Sequence, residues 1–349
     1  MKIKDEYSPS IAVWEITLRC NLKCFHCGSS AGKERLNELT TTEGIKLIRD
    51  LAEIGFRGVA LMGGEPFLRK DWYKICQEIK DLGMKLSIVT NGTINPKNVL
   101  YKLVKLEVDS LPVGLDGATA KTHDHIRGVK GAFHKTKNFI HLSKKAELPI
   151  GIITTVHKLN FNELSAIRNL IIDLEVNWQI QDVIPMGRFP NNQALSKEEY
   201  YSLGLFIAST RKKYSSKNLV IDAPHNFGFN SQILPRSDLY SRWNGCWAGK
   251  MVLGIQSDGG IMGCLALPDE FVEGNIRNRS AIDIWRDSNS FSYSRKFKET
   301  ELGGNCSDCK FRMDCKGGCT TRSVCFSGLP HNDPYCLYQI ENKLGLYRI

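Results

Sequence analysis

From about residue 11 to residue 185 the chain alternates short β-branched runs with longer amphipathic stretches, which commits it to parallel strands joined by crossover helices. Strands are expected at 12–17, 59–62, 85–90, 111–115, 150–156 and 178–184. Between them, Ile45, Ile48, Leu51 and Ala52 share one helical face, as do Leu164, Ile167, Leu170, Ile171 and Leu174. Thr40 with Glu43, Asn160 with Glu163 and Ser196 with Glu199 have the spacing of capping boxes and mark helix starts. Six βα units with right-handed crossovers are too few to close an eight-stranded barrel, so the expected fold class is α/β, a partial (β/α)6 TIM-like barrel. Residues 1–10 form a tail before it and 11–190 the barrel. A helix over 197–213 and a Gly-, Asn- and Pro-rich passage at 223–235 make 191–240 a connecting region, and 241–349 a cysteine-rich domain.

In such a fold chemistry belongs at the carboxyl ends of the strands. Cys20 follows the first strand, Gly63-Gly64-Glu65-Pro66 the second and Thr90-Asn91-Gly92 the third, so the three segments are expected on one rim. Cys20, Cys24 and Cys27 supply three thiolates where a four-iron cluster needs four ligands, which leaves one iron open. A zinc site or scattered core cysteines are the alternatives, although a zinc knuckle closes its shell with a fourth Cys or His and only His26 is near.

The first seven residues lack the apolar segment of a signal peptide, and no apolar run is long enough to cross a bilayer, so a cytoplasmic protein is expected. In that reducing setting twelve cysteines are more often metal ligands or nucleophiles than disulfides. The formal charge of +10 comes from scattered Lys and Arg with no basic block interleaved with aromatics, so no nucleic-acid or membrane partner is expected.

Eight cysteines fall between Cys246 and Cys336. Cys306, Cys309, Cys315 and Cys319 follow one another at spacings of two, five and three residues in a stretch too poor in apolar residues to bury much core. Metal ligation is the expected source of its order, with a pair of zinc ribbons as the alternative. Cys76 shares a helical face with Trp72, Ile75 and Ile79 and is expected in the core.

The loop Cys20-Asn21-Leu22-Lys23-Cys24-Phe25-His26-Cys27 resembles that of the radical S-adenosylmethionine (radical SAM) superfamily, with His26 in its aromatic slot. The spacing Cys246, twelve residues, Gly259, four residues, Cys264, with the later run and Cys336, resembles the SPASM extension of these enzymes. The resemblance implies S-adenosylmethionine (SAM), a four-iron cluster on Cys20, Cys24 and Cys27, and one or two auxiliary iron-sulfur clusters. It assigns Cys306, Cys309, Cys315 and Cys336 to one auxiliary cluster and Cys246, Cys264 and Cys319 to another, with Cys325 either its fourth ligand or a free thiol, the latter leaving an iron open to a substrate atom or making the centre a smaller cluster. It further implies that Gly63, Gly64, Glu65 and Pro66 hold the methionine ammonium, Thr90 and Asn91 the ribose, Arg127 the methionine carboxylate, and Met186 and Gly187 the adenine. Gly114 stands where the family often carries Ser in its S-L-D-G run, which leaves one polar contact to the cofactor missing. Leu265 follows Cys264 where sulfatase-maturing relatives carry Asp, so no general base is assigned.

By the same resemblance the expected activity is hydrogen abstraction from a ribosomal peptide or protein, giving a crosslink, an oxidised residue or an epimer. With about ten residues before the first strand, a separate leader-recognition protein or the basic surface would recognise that peptide, and a flavodoxin or ferredoxin would supply electrons. A small-molecule reaction such as tetrapyrrole side-chain decarboxylation, and a non-catalytic metal-binding or electron-transfer scaffold, are the rival readings.

Overall fold

The computed structural model describes residues 7–215, 219–223, 231–234 and 244–346, so most of the passage at 223–235 lies outside the described residues. In chain order the elements are β1 (Ile11–Thr17), α1 (Thr41–Ile54), β2 (Gly58–Gly63), α2 (Trp72–Asp81), β3 (Lys85–Ile88), α3 (Pro96–Lys105), β4 (Leu111–Gly114), α4 (Ala120–Arg127), α5 (Ala132–Lys145) and β5 (Ile150–Val156). They continue with α6 (Lys158–Phe161), α7 (Leu164–Leu174), β6 (Asn177–Asp182), α8 (Lys197–Lys213), β7 (Ile221–Asp222), β8 (Val252–Ile255), β9 (Gly260–Met262) and β10 (Gly274–Asn275). Five short helices follow: α9 (Ala281–Arg286), α10 (Ser292–Arg295), α11 (Arg312–Cys315), α12 (Thr320–Ser327) and α13 (Leu337–Leu344). Each of the six expected strands is present, and the fold is α/β with parallel strands followed by a cysteine-rich extension. Among the described residues no helix is long and apolar enough to cross a membrane.

The chain divides into two compact units that interleave in sequence. The first comprises Met1–Val113, His134–Ile150 and Trp247–Lys296. Its sheet runs β10-β9-β8-β1-β2-β3, with β1 parallel to both β2 and β8. No sequence pattern marks β8, because Val252–Ile255 is four residues long in a Gly-rich stretch. Trp14, Ile16, Leu61, Leu86 and Ile88 from these strands are fully buried with Leu47, Ile48 and Leu51 of α1 and Ile75, Cys76 and Ile79 of α2. The buried stripe of α1 is Gly44, Leu47, Ile48, Leu51 and Ile54, so Ile45 and Ala52 sit at its margin rather than in it.

The second unit comprises Gly114–Phe133, Gly151–Cys246 and Phe297–Ile349. Here β5, β6 and β7 pair in parallel. Thr40 with Glu43 and Ser196 with Glu199 form the expected capping boxes, but Asn160 with Glu163 does not. Asn160 lies inside α6, where its amide donates to Asp116 O and Thr155 O, and Glu163 accepts from Ala118 N and Thr122 Oγ1 instead. Both side chains answer buried polar groups on neighbouring segments, a demand that local spacing does not reveal. The polar stretch holding His123, His125, His134 and His141 is two helices, α4 and α5, parted by Gly128 and Gly131 at positive φ.

Candidate functional site

In the first unit the three rim segments meet. The turn after β2 packs against the start of the cysteine loop: Gly64 N donates to Thr17 O and Glu65 N to Arg19 O, each at 2.8 Å. The approach is close enough to exclude side chains, since a Cβ on Gly63 or Gly64 would lie 2.2 Å from those same two carbonyl oxygens. Gly63 also has φ of 141°, which an L side chain rarely adopts. The glycines therefore seat the Gly-Gly-Glu-Pro turn on the backbone that carries Cys20.

Glu65 is fully buried and its carboxylate is engaged within the protein. It accepts from Thr90 Oγ1 at 2.9 and 3.0 Å, from Asn91 N at 2.9 Å and from Phe67 N at 3.4 Å. The Thr90 hydroxyl in turn accepts from Gly92 N. Asn91 Nδ2 donates to Asn21 Oδ1 at 2.9 Å, Asn21 Nδ2 to Thr93 Oγ1 at 2.9 Å, and Asn91 Oδ1 accepts from Thr93. The side chains expected to face ligand are thus tied to one another, joining the ends of β2 and β3 to the residue beside Cys20. Asn21 and Glu38, whose carboxylate accepts from Thr17 Oγ1, Leu18 N and Arg35 N, are parts of this frame that no motif marks.

Cys24 is buried, and Cys20 and Cys27 are half-buried. Two of the sulfurs accept backbone N–H bonds, Leu22 to Cys20 and Ala31 to Cys27. The Cys20 thiol is pushed up to about 11, chiefly by burial, with the nearby Glu65, Cys24 and Cys27 adding to the rise and the Leu22 N–H bond opposing it. A thiol whose ionisation is made costly in this way suits a cationic centre, which deprotonates its ligands. His26 packs edge-on to Phe25, with ring centroids 5.8 Å apart.

In the second unit Arg127 pairs with Asp116, Nη2 to Oδ2 at 2.8 Å, and Asp116 is fully buried with its other oxygen accepting from Thr155 N. A Cβ on Gly114 would lie 2.2 Å from Arg127 Nη2, so the missing side chain makes room for the guanidinium. Gly114→Ser is accordingly expected to destabilise by about 3 kcal/mol, the cost of disturbing a buried ion pair, rather than to supply a polar contact. Denaturant unfolding measures it, and unchanged stability would contradict this geometry. Met186 and Gly187 form the turn after β6, where Phe189 N donates to Met186 O.

Further on, Cys306, Cys309, Cys315 and Cys336 line one cavity together with Gly317 and Gly318, whose φ values of 77° and 81° turn the chain sharply. Burial raises the thiols of Cys306 and Cys336, to about 11 and about 12, and raises Cys315, with charge on neighbouring cysteines adding to each. Four mutually close sulfurs around a cavity fit a cubane cluster. Among the described residues no three His, Cys, Asp or Glu side chains gather as a single ion would require. Cys264 follows β9, Cys319 is the N-cap of α12, Cys325 is half-exposed within α12, and Cys246 is half-buried.

Fold and site together define a protein that makes radicals from SAM: the chain belongs to the radical SAM superfamily, whose family model matches residues 14–171, and an iron-sulfur cluster-binding (SPASM) domain matches 246–310. Its cofactors are SAM, a four-iron cluster and auxiliary iron-sulfur clusters. Among individual proteins it is similar to the AdoMet-dependent heme synthase of Methanosarcina barkeri, 32% identical over 349 residues, covering 96% of this chain and 98% of that one. It is also similar to the mycofactocin maturase MftC of Mycobacterium tuberculosis, 26% identical over 340 residues and covering 95% and 83%. The crystal structure of Streptococcus suis SuiB bound to S-adenosylmethionine shares the fold, with a TM-score of 0.79 at 19% identity over 95% of this chain and 77% of that one.

Proposed function

We propose that this radical SAM enzyme acts on a carboxylate-bearing tetrapyrrole, removing side-chain carboxylate as carbon dioxide on the way to a haem. The observation that carries this reading is the end-to-end likeness to the heme synthase, which extends through both family regions. The ribosomal peptide is the second reading, supported by the likeness to the maturase over nearly the same span.

Reductive cleavage of SAM at a four-iron cluster supplies a 5′-deoxyadenosyl radical, which takes hydrogen from an unactivated carbon. We assign Cys20, Cys24 and Cys27 to that cluster. Because the Glu65 carboxylate is engaged by Thr90 and Asn91, the backbone carbonyls of the Gly63–Glu65 turn are the better acceptors for the methionine ammonium, with Glu65, Thr90 and Asn91 setting the turn's shape. Arg127, held by Asp116, is assigned to the methionine carboxylate, for which its planar fork suits. His26 lies within the cluster loop in its aromatic slot, and Pro66, Met186 and Gly187 are assigned to the nucleoside side. Cys306, Cys309, Cys315 and Cys336 would hold one auxiliary cluster, and Cys246, Cys264 and Cys319 another, with Cys325 outside the family spacing. A flavodoxin or ferredoxin is the reductant class expected to serve such clusters.

Anaerobically reconstituted protein, given SAM, a reductant and an iron porphyrin bearing carboxylate side chains, is expected to form 5′-deoxyadenosine together with a porphyrin lighter by carbon dioxide and two hydrogens for each side chain converted to an alkene. One hydrogen atom goes to the deoxyadenosyl radical, a proton goes to solvent, and the remaining electron goes to a one-electron acceptor. Substrate-dependent 5′-deoxyadenosine with a peptide, and none with porphyrins, would overturn the tetrapyrrole reading in favour of the second.

A further inference from the structure

The wall of the four-cysteine cavity includes a carboxylate, Asp333, which is 2% exposed. Its side chain accepts N–H bonds from Tyr335, at 3.0 Å, and from Cys319, and its Oδ1 lies 3.4 Å from Arg322 Nε. Arg322 is fully buried against the rings of Tyr200 and Tyr335, 4.5 and 5.0 Å from their centroids. Its Nη1 lies 2.9 Å from Asp182 Oδ2 at the end of β6. One guanidinium therefore serves two buried carboxylates, and with both acids ionised the trio carries one net negative charge in a place with little water to screen it. Arg312, a cation that lines the cavity, is paired with Glu299 at the surface.

We propose that Asp333 is a positioning residue for redox chemistry: its fixed negative charge in the cavity wall lowers the reduction potential of the cluster held by Cys306, Cys309, Cys315 and Cys336. The inference rests on the ligand assignment made above. Adding an electron to a cluster raises its negative charge, so a carboxylate in the wall disfavours the reduced form. Burial raises the Asp333 pKa, and Arg322 opposes that rise and fixes the carboxylate in place while sharing its charge with Asp182. Asp182 makes the shorter bond to Arg322 but is absent from the cavity lining, so the two acids provide a matched comparison.

The test is a redox titration of the reconstituted holoenzyme, followed by electron paramagnetic resonance, with iron and sulfide measured on each sample. Asp333→Asn is expected to keep its iron and to shift the auxiliary signal to higher potential, so that a larger fraction is reduced at the same ambient potential; Asp182→Asn is expected to shift it less. Should Asp333→Asn fail to fold, Asp333→Ser, which keeps an acceptor for the two N–H groups, is expected to shift the same way. An unchanged potential with iron retained, equal shifts in the two Asn variants, or loss of this cluster's iron from folded Asp333 variants would overturn the inference, the last by making Asp333 purely structural. Absence of the auxiliary signal from the unaltered protein, or its survival in Cys309→Ala, would instead reject the ligand assignment.

Discussion

Cys24→Ala is expected to abolish 5′-deoxyadenosine formation from SAM while leaving iron and sulfide in the C-terminal region. With two thiolates the first cluster has two unheld irons, and no neighbouring sulfur is marked out to replace the lost one. The Cys24 side chain is buried in the loop, so Ala leaves only a small void and the fold should survive. Anaerobic reconstitution, with 5′-deoxyadenosine read by chromatography and iron by colorimetric assay, checks both halves. Full 5′-deoxyadenosine yield would reject the loop as the site of SAM cleavage; zinc in place of iron and sulfide in the tail would favour zinc ribbons there.

Glu65→Ala carries the second largest effect. It strips the acceptor from Thr90 Oγ1 and Asn91 N, both buried, and from Phe67 N. Leaving a buried donor unsatisfied costs about 1–3 kcal/mol, so a loss of about 4 kcal/mol is expected, with SAM cleavage falling alongside it. Glu65→Gln, which keeps one acceptor oxygen, should lose roughly half as much. The pair of variants separates a frame from a ligand. If Glu65 shapes the turn, unfolding free energy and SAM affinity decline together; if its carboxylate bonded the ammonium directly, Gln would lose affinity at nearly full stability.

Much of this was legible because it is local. Cysteine spacing, strand alternation and the Thr40 and Ser196 caps each lie within a few residues of chain, where sequence pattern and structure share one period. What escaped is pairing across long separations. The engagement of Glu65 with Thr90 spans 25 residues and that of Asn21 with Asn91 spans 70, and neither partner stands out until the strands are aligned. Gly114 read as a missing contact, whereas the space it vacates is taken by Arg127 from the following helix. Asn160 and Glu163 had the right spacing for a cap, but buried carbonyl and amide groups of other segments claimed both. The peptide substrate was inferred from the cysteine-rich extension, a feature that does not decide between peptide and tetrapyrrole chemistry.

The pairing of β1 with β8 has a consequence for how the chain is made. Ile11–Trp14 find their partners at Val252–Ile255, about 240 residues later, so that edge of β1 stays open while the intervening chain is synthesised. An exposed edge of Ile, Ala, Val and Trp is a template for pairing with other chains. Delayed closure of this kind puts nascent protein at risk of aggregation, and it makes any truncation before residue 252 a poor vehicle for the first cluster alone.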